Sequence, residues 1–191
     1  MRKLLIYSVM ALLLEGCVIP SLHPLYTEED LILDDDLFGI WQDEDNTWDF
    51  LLSNDRHRGQ DHNAKTISLV CTSKGVPAEF DLHMVQLGKY YYLDFIAREY
   101  DIRNELLDFH LMPFHNFARV NIEAEEVRIE FFDPEWLESL LEDNKIRIEH
   151  EYMETHELYV LTASTRSLQK FIEKYGDDPN AYSDPIILKR I

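Results

Sequence analysis

The sequence predicts a mainly β chain: one antiparallel barrel or sandwich with two short helices in its C-terminal half. Three observations lead there. From Phe38 onward, apolar and polar residues alternate with a period of two through most of the chain, as strands buried on one face do. Turn residues separate these stretches at roughly 8–12-residue spacing, the rhythm of all-β sandwiches and barrels. Only two stretches carry helical spacing, too few to cover both faces of a parallel sheet.

Taken in order, Gly39-Ile40-Trp41 stands at the start of the strands. Thr47–Leu51 puts Trp48 and Phe50 on one face and Thr47 and Asp49 on the other. Lys65–Ser73 is rich in β-branched residues. In Ala78–Val85, Phe80, Leu82 and Met84 alternate with Glu79, Asp81 and His83, the pattern of a half-buried strand. Lys74-Gly75 and Leu87-Gly88-Lys89 are the turns on either side of it. Tyr90–Ala97 is aromatic: Tyr90, Tyr92 and Asp94 share one face, and Tyr91, Leu93 and Phe95 the other. Further strands are expected over Leu106–Pro113, Asn116–Ile122, Glu126–Phe131, Lys145–Tyr152 and Glu157–Thr162.

Asp133-Pro134 reads as an N-cap with proline at the first helical position. The helix behind it carries an apolar stripe of Trp136, Leu137, Leu140 and Leu141 and ends at Asp143-Asn144. A second helix starts at Ser164 or Thr165. Its Leu168, Phe171, Ile172 and Tyr175 fall at i, i+3, i+4 and i+7, and Gly176 closes it. The remaining residues, with Pro179 and Pro185, read as a docked tail.

Of 191 residues, 37 are acidic and 18 basic, a net charge of −19. Nucleic-acid binding needs a basic footprint and is not expected. A hydrophobic content of 46% with 12% aromatics is enough for a packed core and excludes wholesale disorder. Two cysteines cannot make a disulfide-dense scaffold or a four-cysteine zinc site. Asp43, Asp45 and Thr47 alternate as calcium-loop ligands do, but the glycine turn and terminal bidentate glutamate are missing. His57 and His62, with Asp55 and Asp61, read as a polar loop rather than a metal site. Phosphate-cradling loops, C-x-x-C, H-E-x-x-H and G-x-S-x-G are absent from the sequence. Hence no catalytic residue, cofactor or metal is assigned, and the expectation is a non-enzymatic protein.

The N-terminus gives a location. Arg2 and Lys3 precede the apolar run Leu4–Leu14, eleven residues interrupted only by Ser8. That is too short for a spanning helix and reads as an export signal. Leu14-Glu15-Gly16-Cys17 follows and resembles the lipobox of bacterial lipoproteins. The resemblance implies cleavage before Cys17 and a diacylglycerol thioether on its thiol. Val18 after the cysteine implies transfer to an outer membrane, facing the periplasm. The expected organisation is a signal peptide over 1–16, a lipid-anchored tether and entry segment over 17–37, and one β-rich domain over 38–191. Removing the signal leaves 36 acidic and 16 basic residues, a net −20. Cys71 is then left without an intramolecular partner and is expected to be a buried structural thiol.

Gly39-Ile40-Trp41 resembles the G-x-W motif of lipocalins and other calycin barrels. The resemblance implies a barrel with Trp41 plugging one end and an arginine packed over it, for which Arg166 is a candidate. Cys17-Val18-Ile19-Pro20-Ser21-Leu22-His23-Pro24-Leu25-Tyr26, Asp133-Pro134-Glu135-Trp136-Leu137 and Leu161-Thr162-Ala163-Ser164-Thr165 resemble a group of bacterial lipoproteins of unknown function. The expected function is a lipid-anchored envelope protein that binds a small apolar ligand or an envelope partner. Trp41, Tyr90, Tyr92 and His110 are its candidate ligand contacts, because apolar barrel walls with a few polar handles suit such a ligand. The alternative is a structural or assembly accessory with a filled barrel.

Overall fold

The computed structural model describes residues 18–53, 65–98 and 113–191. Eight strands close into an antiparallel, lipocalin-like barrel. They are β3 (Gly39–Gln42), β4 (Asn46–Leu52), β5 (Ile67–Ser73), β6 (Val76–Leu87), β7 (Tyr90–Ala97), β8 (His115–Glu123), β9 (Glu126–Phe131) and β12 (Ile186–Arg190). Each pairs with the next around the ring, and β12 closes it between β9 and β3. Closure removes the free sheet edges.

The turns follow from local chemistry. Ser73 faces Val76 across Lys74 and Gly75, both at positive φ (51° and 78°), the geometry of a two-residue hairpin turn. Gly88, at φ 61°, opens the next turn. Asp43 organises the hairpin between β3 and β4. Its carboxylate accepts from the Asp45 and Asn46 backbone N–H groups and from Trp48 Nε1–H. Its oxygens are therefore committed to the turn.

Alternation puts Phe50, Leu69, Leu82, Met84, Leu93 and Ile129 inside the barrel. A second core lies outside the barrel wall, where Val85, Leu87, Tyr92 and Phe117 meet helices α1 (Pro134–Glu142) and α2 (Thr165–Tyr175). Asp133 caps α1 through the N–H groups of Glu135 and Trp136, with Pro134 in the first turn. Gly176 ends α2 at an ordinary φ of −59°. Glycine is required there by space, because a Cβ would lie 2.7 Å from Tyr92 Oη.

Three sequence expectations change. The tail forms β12, the closing strand; with only five residues it carries too little alternation to be read locally. The strand expected over Lys145–Tyr152 is reduced to β10 (His150–Met153), which pairs with β11 (Leu158–Leu161). Residues 18–37 do more than connect. They contribute β1 (Pro20–Ser21), wedged between β8 and β11, and β2 (Leu31–Ile32), which pairs with β6. Leu25, Leu31 and Leu37 in this segment are fully buried. Cys17 and the strand expected over Leu106–Pro113, up to residue 112, lie outside the described residues, as does the loop with His57 and His62.

Candidate functional site

Trp41 occupies one end of the barrel interior. It is fully buried, and its Nε1–H donates to Leu37 O at 2.8 Å. The Arg190 guanidinium packs over the indole ring, 4.1 Å from its centroid. Arg190 in turn donates to the carbonyls of Asp36 (2.6 Å), Phe38 (3.2 Å) and Ala124 (2.9 Å). The arginine over the tryptophan is thus Arg190 and not Arg166, which lies on α2. The reason is register: Arg190 is the direct cross-strand partner of Trp41, so both side chains point the same way.

Tyr90 and Tyr92 lie on the outer face of β7, so they do not line the barrel interior; Leu93 and Phe95 do. The pair fastens the end of α2 to the wall. Tyr92 Oη is 3.3 Å from Tyr182 Oη, and Tyr90 donates to Asp177 at 2.8 Å. Arg119 lies between the tyrosine rings, 4.8 Å from Tyr90 and 3.9 Å from Tyr182, and donates to Gly176 O at 2.9 Å. Burial pushes the Tyr92 hydroxyl well above its ordinary range, so it stays protonated. His110 lies outside the described residues. Cys71 is half-buried, and burial also raises its thiol, in keeping with a structural role.

Among the described residues, a buried polar cluster sits on the same outer face, further along β7. Asp94 is completely buried. Its Oδ1 lies 2.7 Å from His115 Nδ1, and its Oδ2 accepts the Leu25 N–H at 2.7 Å. Burial pushes the Asp94 carboxyl up, and the bonds from His115 and Leu25 pull against it. His83, the cross-strand neighbour of Asp94, stacks on Tyr26 at 4.1 Å between ring centroids. Its Nε2 is 3.2 Å from Thr66 Oγ1, while its Nδ1 has no hydrogen-bond partner. This cluster joins the entry segment to three barrel strands. Sequence reasoning placed Asp94 on the Tyr90–Tyr92 face, but its partnership with His115 spans 21 positions and leaves no local signal.

His83 gives this cluster a pH signature. Burial lowers its pKa from the ordinary 6.5 to about 4, with His115 adding to the effect and Asp81 opposing it. The unfolded chain therefore binds a proton before the folded one does. Stability is full above pH 6.5 and is expected to fall by about 3 kcal/mol as pH drops toward 4. Urea titrations from pH 7 to pH 4.5 on the wild type and on His83→Gln check this. Asp94, with its raised carboxyl, tilts stability the other way, so the difference between the two curves isolates His83. Parallel curves would refute the assignment.

Among the described residues, no three His, Cys, Asp or Glu side chains are placed to hold a metal ion. A void of about 10 Å³ under α2, lined by Ile19, Phe117, Leu168 and Phe171 among others, has room for no more than one water molecule. No protein-family model, no curated protein and no solved structure matches the chain.

Proposed function

We propose that the chain is a lipid-anchored envelope protein whose barrel is a closed scaffold, acting through its outer surface as an interaction or assembly accessory. The observation that carries this reading is the close packing of the described interior residues. Trp41, Phe50, Leu69, Leu82, Met84 and Leu93 are all at 0% exposure inside the barrel. An apolar ligand would have to displace side chains already packed at interior density. Cys17 holds the protein at the outer membrane, facing the periplasm, through its acyl chains. The acidic surface would not be attracted to anionic headgroups, so the anchor has to supply the attachment.

The Asp94–His115 pair has the distance of a base and its orienting carboxylate. Among the described residues no hydroxyl or thiol bonds the other ring nitrogen of His115, and Asp94 is occupied holding Leu25. The pair is assigned to structure.

Native mass spectrometry of the full chain after mild extraction tests the closed scaffold. The expected spectrum is the acylated polypeptide alone; a stoichiometric apolar ligand surviving extraction would overturn it. Anchoring is tested by labelled palmitate in a bacterial host. Wild type is expected to incorporate label and Cys17→Ala to incorporate none. Equal labelling of the two sinks the anchor.

A further inference from the structure

The chain carries about twice as many acids as bases, and six of its described cations are neutralised locally. Lys89, Arg98, Arg119, Arg128, Lys145 and Lys189 all form ion pairs. Arg147, Lys170 and Lys174 form none among the described residues, yet these three converge on one groove. It lies between α2 and the extended segment 144–149, is open to solvent, and has a volume of about 490 Å³, within the ordinary range of small-ligand sites.

Both walls are built by simple periodicity. In segment 144–149, Ile146 and Ile148 point into the core, so Lys145, Arg147 and Glu149 face outward. On α2, Leu168 and Ile172 are buried, and Arg166, Lys170 and Lys174 follow at i, i+4 and i+8 along an exposed face. Phe171 and Tyr175 are half-buried and line the groove between the two rows. Lys174 Nζ sits 4.7 Å from the Tyr175 ring centroid. Glu149 is the one carboxylate among the lining residues, and Lys145 is paired with Asp143 at 2.6 Å.

We propose that this groove is a binding site for a small phosphate-bearing anion, held by Arg147, Lys170 and Lys174 with its body against Phe171 and Tyr175. Guanidinium and ammonium groups converging across a cleft are the chemistry that recognises phosphate. Unpaired like charges repel one another, and a bound anion removes that repulsion. The overall negative charge opposes binding only weakly, since exposed charges more than about 8 Å apart are largely screened at physiological ionic strength. The same chemistry is offered by a phospholipid headgroup and by a free phosphate compound.

Isothermal titration of the full chain in nonionic detergent tests the site with two probes, sodium pyrophosphate and glycerophosphoglycerol, the deacylated headgroup of phosphatidylglycerol. Saturable one-to-one binding is expected, weakening as salt rises. The double substitution Arg147→Ala, Lys170→Ala is expected to weaken it roughly tenfold or more, while Lys74→Asn, at an unpaired cation in a distant turn, leaves it unchanged. Both changes are on exposed residues, and a circular-dichroism melt confirms folding of each variant. Tighter binding of glycerophosphoglycerol assigns the site to a lipid headgroup; tighter binding of pyrophosphate assigns it to a free phosphate. Saturable binding of neither probe, or equal loss in both variants, overturns the proposal.

Discussion

Replacing Trp41 by alanine is expected to destabilise the fold by about 3–5 kcal/mol, the usual range for deleting a large aromatic from a packed core. The value should lie in the upper part of that range, because three things are lost together. The indole is fully buried, so its removal leaves a cavity that surrounding strands cannot close. The Leu37 carbonyl loses its N–H donor. Arg190 loses the ring face beneath its guanidinium, 4.1 Å away. Guanidinium denaturation followed by circular dichroism measures the change. Trp41→Phe keeps a ring under Arg190 and gives up only the N–H and some volume, so a loss of about 1–2 kcal/mol is expected. A cost below about 1 kcal/mol for the alanine variant would mean that Trp41 does not plug the barrel.

The same region marks how far the sequence could be read. Gly39-Ile40-Trp41 was legible as the opening of a barrel, and the alternation in β6 correctly put Leu82 and Met84 on the inside. The residue that completes the plug was not. Arg190 meets Trp41 through a pairing about 150 positions apart along the chain, and closure of a ring is a non-local event that no window of sequence contains. Arg166 was nearer the last strand that alternation could recognise, and α2 carries it away to the outer surface.

Parity has a second limit. Alternation along β7 divided Tyr90, Tyr92 and Asp94 from Tyr91, Leu93 and Phe95, and the strand does have those two faces. It could not say which face is inside, because both are rich in aromatic residues. The answer comes from α2 and the entry segment, which cover the outer wall and make Tyr92 as buried as Leu93. In the entry segment, Leu25 and Leu31 pack in that outer core, while Leu37 reaches the interior one. The residues between them form no continuous alternating or helical run, so their burial had no periodic signal.

Asp94→Ala is the second large effect, and it tests whether the outer wall is held by the buried pair. Removing one member of a buried pair typically costs about 3–5 kcal/mol, since the groups left behind keep their desolvation penalty. Here two partners are stranded: His115 Nδ1 and the Leu25 N–H, each 2.7 Å from the carboxylate. His115→Ala leaves Asp94 still bound to Leu25 and should cost less. If the two residues act as a unit, the double variant will be less unstable than the sum of the single ones, by about 1–3 kcal/mol. Hydrogen exchange separates this from a general loss of packing. Since Asp94 ties Leu25 to β7, Asp94→Ala should release the amides of residues 25–32 ahead of those in β4 and β5. Uniform loss of protection across the barrel would show instead that Asp94 supports the whole core and not the docking of the entry segment.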